Sequence, residues 1–414
     1  MVTQWAKRAF LSSLGPVRGG RLTIECSDRT YQFGSAGELD ATLAVRDDRF
    51  FLRALTGSDI GIGESYMDGD WTSPDPVPLA RLMLRNRRVL DGQSRVVGAL
   101  RRMGGALARR LRDNSLAGSR RHIHRHYDLG NDFFRLFLDA DLRMYSCGHF
   151  ASGTDSLETA QAQKVDGICR TLALAPSDHV LEIGTGWGGF AAWAATRYGC
   201  RVTTTTISDE QYRHVCELRS TLGEAGARIE VLRSDYRELT GRFDKVVSIE
   251  MFEAVGLNHY DDYFAAVDRL LAPDGSMLLQ TITVDDQWFP SYHGTPDWIE
   301  KYIFPGGELA SVGEILKSLA RTTSLSMYHA DNLGTHYART LRAWRARFHR
   351  SFDLVRAQGF DDRFIRMWDL YLASCEAAFL ERHTGLFQLL LVKNGSQRAL
   401  FNEPWAGTSR PSAA

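Results

Sequence analysis

The sequence predicts an α/β fold: a doubly wound, mostly parallel sheet with an antiparallel edge strand, preceded by a small N-terminal α+β domain. Three observations carry this. From about residue 165 onward there are five β-rich runs: VLEIG (180–184), RVTTTTIS (201–208), RIEVLRSD (228–235), FDKVVSIEMFE (243–253) and GSMLLQTIT (275–283). Helical segments separate the first four, which is the pattern of βαβ units around a parallel sheet. A later pair, SLSMYHADNLG (324–334) and GLFQLLLVKN (385–394), brackets a long helical stretch from about His336 to Arg382 and closes most simply as an antiparallel edge. Upstream, RLTIECSDRTYQFG (21–34) reads as two strands around an Asp-containing turn, and the glycine-punctuated FFLRALTGSDIGIGESYMDGDW ends in turn chemistry. Residues 1–95 are therefore expected to form the small domain, 96–122 an Arg-rich linker or helix, 123–400 the α/β domain and 401–414 a tail.

Composition narrows the function classes. The 414 residues suggest two or three domains, and 50 Lys plus Arg balance 50 Asp plus Glu. A globally basic nucleic-acid binder is disfavoured, because affinity for phosphate backbones comes from excess cations. Apolar residues make up 44% and charged residues 24%, which is ordinary globular usage. No run approaches the ~18 consecutive apolar residues of a membrane span. The N-terminal MVTQWAKRAFLSSLG lacks the uninterrupted apolar core of a signal peptide and reads as a short amphipathic helix. Six scattered cysteines without CxxC spacing fit free thiols in a reducing cytoplasm, with no metal site.

Charge is balanced overall but not locally. Thirteen arginines lie between Arg81 and Arg125, opposed in that stretch only by Asp91 and Asp113. Three readings stay open: a solvated linker helix, a patch docking on an anionic membrane surface at ~1 kcal/mol per basic residue, or an RNA contact. His122 and His124 have metal-like spacing without partner ligands and read as surface residues.

Directly after the first run comes Glu182-Ile-Gly184-Thr-Gly186-Trp-Gly188-Gly189, a G-x-G-x-x-G at a strand-to-helix turn. A nicotinamide site expects an acid at the tip of the second strand, about 20 residues on. Here that tip reads Thr203-Thr204-Thr205-Thr206-Ile207. The acid Glu182, two residues before the first glycine, gives E-x-G-x-G, which resembles the first motif of class I S-adenosylmethionine (SAM) methyltransferases. Asp235-Tyr236, at the end of the third run, stands where that fold commonly places an adenine-binding acid.

A more distinctive resemblance follows. The blocks His126-Tyr127-Asp128-Leu129-Gly130-Asn131-Asp132-Phe133-Phe134, Met144-Tyr145-Ser146-Cys147, Ile249–Gly256 (IEMFEAVG), Ile303-Phe304-Pro305-Gly306-Gly307 and His336–Leu341 (HYARTL), in this order, closely resemble the cyclopropane-fatty-acyl-phospholipid synthases and mycolic-acid cyclopropane synthases. The resemblance spans roughly residues 120–395, and the N-terminal region resembles the small extra domain of the phospholipid-acting members. It implies a class I SAM-methyltransferase sheet and addition of the SAM methyl group to a cis double bond of an acyl chain, with proton loss closing the ring. By resemblance, Tyr145, Ser146, Gly184, Gly186, Thr206, Ile207, Gln211, Asp235 and Tyr236 line SAM. Cys147, Glu253, Ile282 and Tyr337 match a pocket that holds a bicarbonate ion, the family's base. An alkene is a poor nucleophile, so orientation, aromatic faces that tolerate a carbocation and a base are all required. Tyr127 and Phe304 are the aromatic candidates near the reacting carbon, although either would also suit a helix start or a core.

One departure stands out. Where many members carry His, this chain reads Leu279-Gln280-Thr281-Ile282. A carboxamide donates and accepts hydrogen bonds but does not titrate near pH 7. Gln280 can hold an anion but cannot relay a proton, which leaves a methylene- or methyl-branched product open beside the cyclopropane. The resemblance implies an unsaturated phospholipid substrate and a cytoplasmic enzyme on the inner membrane face, with no nucleic-acid partner; a homodimer is compatible with the sequence. The competing readings are an RNA methyltransferase, for which the HYDLGNDFF block has no role, and a lipid-binding protein without catalysis, which retention of Cys147, Glu253 and Tyr337 opposes.

Overall fold

The computed structural model describes residues 2–91, 130–293, 297–398 and 400–401. Tyr127, His122, His124 and the Arg-rich stretch beyond residue 91 lie outside the described residues. The chain divides into two compact units, one of residues 1–113, 287–306 and 337–384, the other of residues 114–286, 307–336 and 385–414.

The N-terminal elements are α1 (Val2–Ser13), β1 (Gly20–Glu25), β2 (Thr30–Gly34), β3 (Leu39–Val45), α2 (Arg49–Met67), β4 (Trp71–Thr72) and α3 (Pro76–Asp91). The four strands form one sheet, ordered β2-β1-β3-β4. As expected, β1 and β2 pair antiparallel around the Asp-containing turn. The glycine-punctuated segment is helix α2, broken at Ser58, whose φ is +52°.

In the second unit, α4 (Leu157–Thr171), β5 (His179–Ile183), β6 (Arg201–Thr205), α5 (Asp209–Thr221), β7 (Ile229–Leu232), β8 (Phe243–Ile249), α6 (Tyr260–Leu270) and β9 (Leu271–Val284) lead to the edge strand β10 (Leu325–Asn332) and to β11 (Thr384–Lys393). The order is β10-β11-β9-β8-β5-β6-β7. Strands β5–β9 pair in parallel and β10 pairs antiparallel with β11. The third and fourth expected strands are joined not by an α-helix but by a single 3₁₀ turn at Tyr236–Glu238. The seven residues between Asp235 and Phe243 leave little room for a longer helix.

Neighbouring residues on one strand enter different cores. Leu181, Val246, Leu279 and Leu389 pack on one face, and Val180, Val247, Leu278 and Leu390 on the other. Both faces are covered, which is why these strands read as continuous apolar runs rather than alternating ones.

The expected boundary, with everything from 123 to 400 in one catalytic domain, differs from the observed division. Segments 287–306 and 337–384 pack with the N-terminal region. Ala373 and Ala377, on the helix Asp362–Leu380, let that helix approach Val77, Ala80 and Leu84 of α3. Arg81 and Arg85, counted in the sequence among the thirteen arginines of the basic stretch, are consumed internally. Their Nε groups donate to the two oxygens of Glu381 at 2.6 and 2.7 Å, and both also reach Glu38 at 3.0 Å. Arg87 meets His383 at 2.7 Å. These partners are remote in sequence, so local charge counting misses them.

Gly63 on α2 lies so close to Trp298 that an added Cβ would stand 2.3 Å from the indole ring. Gly63→Ala is expected to cost about 1–3 kcal/mol by overpacking. Chemical denaturation reads this directly, and an unchanged midpoint would refute the packing.

Candidate active site at the carboxyl ends of the strands

The sheet order makes a switch point between β5 and β8: from β5 the chain winds outward through β6 and β7, then returns to the other side for β8 and β9. Ligands of open α/β sheets bind beyond the carboxyl ends of the strands near such a point. The expected second-unit residues all follow or end these strands, except Tyr145, Ser146 and Cys147, which a preceding loop contributes.

After β5 the chain turns tightly. The N–H groups of Gly184 and Thr185 both donate to the Thr205 carbonyl, at 3.0 and 3.1 Å. Gly184 and Gly186 have φ of +97° and +52°. A Cβ on Gly186 would meet no protein atom within 4 Å, so the backbone here borders open space. The Thr185 hydroxyl is buried with no hydrogen-bond partner among the described residues. This is a cradle that fits a ligand such as SAM. The third glycine serves packing instead, since a Cβ on Gly189 would stand 2.5 Å from the Leu142 carbonyl.

That contact belongs to a loop ordered by one carboxylate. Buried Asp139 accepts from the N–H groups of Leu142, Arg143 and Met144 at 2.7, 3.0 and 2.7 Å, and Arg143 takes φ +51°. The loop delivers Tyr145, Ser146 and Cys147. The Tyr145 ring packs on Phe134, which also contacts Trp187 of the glycine turn, and the Trp187 indole donates to Asn131 at 2.8 Å. The Asn-Asp-Phe-Phe block and the glycine turn are thus one packed unit. Ser146 accepts from the fully buried Lys164 ammonium at 2.7 Å, and its carbonyl accepts from Gln161 at 2.7 Å. Burial pulls the Lys164 ammonium down to about 8, against the opposing pull of Glu250 and Asp139.

Beyond β6, Thr206 donates to Gln211 at 2.8 Å and Ser208 caps α5, while Ile207 is half-buried beside them. Beyond β7, Asp235 is buried and held by the Arg237 guanidinium through two bonds of 2.8 Å. The Tyr236 ring sits in the core, edge-on to Tyr263, so its side chain is committed to packing.

At the ends of β8 and β9 a polar cluster is buried. Glu253 Oε1 accepts from the Ile282 N–H at 2.6 Å, while Oε2 is buried with no hydrogen-bond partner among the described residues. Burial, reinforced by the neighbouring charge of Glu250, pushes the Glu253 carboxyl up to about 8, so it is largely protonated at neutral pH. Glu250 Oε1 accepts from the Cys147 N–H at 2.9 Å and from Gln280 Nε2 at 2.7 Å. Gln280 Oε1 accepts in turn from Gln388 at 2.8 Å. The Cys147 thiol is buried and donates to the Gly148 carbonyl at 3.2 Å.

The structure therefore brings Cys147, Glu253, Gln280 and Ile282 together. Tyr337 and Phe304 belong to the other unit, where Tyr337 stacks on Phe379 and Phe304 meets Tyr371 edge-on. Sequence reasoning passed over Asp139, Lys164, Glu250 and Gln388. Lys164 carried a readable signal: with Ala160 and Ile168 it repeats at i, i+4 on the buried stripe of α4, a place where lysine is out of character.

Comparison with known proteins agrees with this geometry. Residues 114–389 match the mycolic acid cyclopropane synthetase family. The chain is 38% identical over 381 residues to the tuberculostearic acid methyltransferase UfaA1 of Mycobacterium tuberculosis, covering 90% of this chain and 88% of that one. It is 37% identical over 364 residues to the cyclopropane-fatty-acyl-phospholipid synthase of Escherichia coli K12, covering 87% and 90%. Among solved structures, the cyclopropane synthase MmaA2 of M. tuberculosis aligns with a TM-score of 0.61 at 32% identity, covering 66% of this chain and 98% of that one. The cyclopropane synthase CmaA1 complexed with SAH aligns at 0.62 and 31%, with the same coverage.

With the glycine turn assigned to SAM, Gly186→Val is expected to abolish SAM affinity in a folded protein, because the side chain would fill the open space the turn borders. Unchanged affinity by calorimetry would overturn the assignment. A sheet of this order, a glycine turn open to a ligand and a full-length likeness to SAM-dependent enzymes converge: the chain belongs to the mycolic acid cyclopropane synthetase family and is a SAM-dependent methyl-transferring enzyme.

Proposed function

We propose that this enzyme methylates the cis double bond of an unsaturated acyl chain in a membrane phospholipid and closes a cyclopropane ring, with a bound bicarbonate as base. The observation that carries this is Glu253: one carboxyl oxygen is fixed by the Ile282 N–H and the other is buried without a partner among the described residues. An orphaned buried polar atom is costly unless something satisfies it, and a protonated carboxyl is a donor suited to a small anion. The neighbouring groups, Cys147, Gln280 and Ile282, hold the surrounding backbone in place. SAM, when bound, supplies an electrophilic methyl group, and bicarbonate, when bound, supplies proton-accepting oxygens. The role of Glu253 is to hold that anion still, and a fixed anion removes a proton without itself capturing the cation. The family likeness supports roles for Tyr337, Phe304 and Tyr127 in the same reaction.

A methylene- or methyl-branched product is the second reading. Two observations favour it: the full-length likeness to a protein named as a tuberculostearic acid methyltransferase, and Gln280, whose carboxamide is tied between Glu250 and Gln388 and cannot shuttle a proton. NMR of the lipid product separates ring from branch. Association with the inner membrane face is also proposed, through the arginines beyond residue 91; no helix among the described residues is long and apolar enough to cross a membrane.

Two outcomes are expected. Glu253→Ala should lower kcat and kcat/KM together by ~10²–10³ with SAM affinity retained, since it removes a contact made during reaction. Turnover of the parent should fall as pH rises through about 8, where Glu253 loses its proton and its donor. Glu253→Gln keeps a donor that does not titrate and should flatten that limb. Withdrawing bicarbonate should slow the parent and restoring it should recover the rate; equal turnover in both buffers defeats the bicarbonate assignment. Separately, neutralising Arg101, Arg102, Arg109, Arg110 and Arg112 should weaken binding to anionic vesicles, an effect that fades at high salt. Equal binding at low salt would leave that stretch as a linker.

A further inference from the structure

Glu250 sits at the end of β8 with φ +51°, a left-handed conformation that glycine adopts without cost and a glutamate does not. Its carboxylate joins three separate elements. Oε1 accepts from the Cys147 N–H of the loop ordered by Asp139, at 2.9 Å, and from Gln280 of β9, at 2.7 Å. Gln280 accepts from Gln388 of β11 at 2.8 Å, and the Glu250 N–H donates to the Gln280 carbonyl at 2.8 Å. Gln280 is fully buried and Gln388 nearly so. A row of buried polar side chains crossing three adjacent strands, anchored on a strained residue, is a poor way to stabilise a sheet. Strain of this kind persists where the surrounding structure holds it for a purpose. Its neighbour three residues on is Glu253, whose Oε1 is fixed by the Ile282 N–H, two residues beyond Gln280 on the same strand.

We propose that Glu250 is a positioning residue for methyl transfer: its carboxylate clamps the Cys147 backbone and the Gln280 carboxamide into one rigid wall beside Glu253. Resting on the assignment of Glu253 to the reacting centre, this adds a residue that touches neither acyl chain nor cofactor and acts through the two groups it holds. A misplacement of about 1 Å in such a wall can cost ~10² in rate.

The test separates a clamp from a purely structural acid. Glu250→Gly removes the carboxylate and also relieves the backbone strain. The clamp predicts a folded enzyme with unchanged SAM affinity by calorimetry and kcat reduced by roughly 10- to 100-fold. Glu250→Gln keeps an oxygen able to accept both N–H bonds and should restore kcat to within about threefold of the parent. A Glu250→Gly enzyme with parental kcat overturns the proposal, as does a folded Glu250→Gln enzyme as slow as Glu250→Gly. Bicarbonate dependence is read on the parent alone. Its absence would remove the anion from the reaction scheme, while the comparison of the Gly and Gln variants would still decide the clamp.

Discussion

A parallel sheet covered on both faces confines polar chemistry to the ends of its strands, and most of the active unit follows from that constraint. Along β5, β8, β9 and β11 successive side chains enter two different apolar cores, leaving no face for a titratable group to meet solvent. Where an acid does enter the sheet it is paired laterally: Glu182, opposite Thr204 on β6, accepts from that hydroxyl at 2.6 Å and is pushed by burial up to about 8. Asp235, Glu250 and Glu253 lie where strands stop and backbone N–H groups become available to them.

Backbone donors are what make those buried carboxyl groups tenable. Asp139 takes three N–H bonds, Glu253 one from Ile282, and Glu250 one from Cys147. Asp139 and Glu250 thereby order the loop that carries Tyr145, Ser146 and Cys147, whereas Glu253 accepts from a residue of β9 itself. Burial raises the carboxyl of Asp139 despite its three donors, so desolvation outweighs hydrogen bonding there. At Glu253 the Oε2 oxygen has no hydrogen-bond partner among the described residues, and burial together with the charge of Glu250 raises the carboxyl strongly.

The first unit illustrates a different balance. Glu38 and Glu381 neutralise Arg81 and Arg85, and Asp369 accepts from Tyr66 and Arg345 at 2.9 and 2.6 Å. The pairs Arg81–Glu381, Arg85–Glu381 and Tyr66–Asp369 join residues roughly 300 positions apart in the chain. They fasten late helical segments to the early small domain, which is why a domain boundary drawn along the chain did not coincide with the compact units.

Much was legible in the amino-acid order because it depends on local chemistry. Strands β5, β8 and β9 announce themselves as apolar runs because both their faces are buried, and the glycine turn because positive φ and open backbone require glycine at Gly184 and Gly186. The blocks around Asn131, Cys147 and Glu253 were visible as residue types in a fixed order. Tertiary structure alone decided which groups meet. Gln280 looked available to hold an anion, but it is engaged between Glu250 and Gln388, residues 30 positions before it and 108 after it. Tyr236 read as a cofactor contact, but its ring is spent in the core against Tyr263. Lys164 and Asp139 were passed over because their significance comes from being desolvated together beside Ser146 and the glycine turn. Burial, and the hydrogen bonds that offset it, arise only when distant strands are laid side by side, so they are written in no single stretch of the chain.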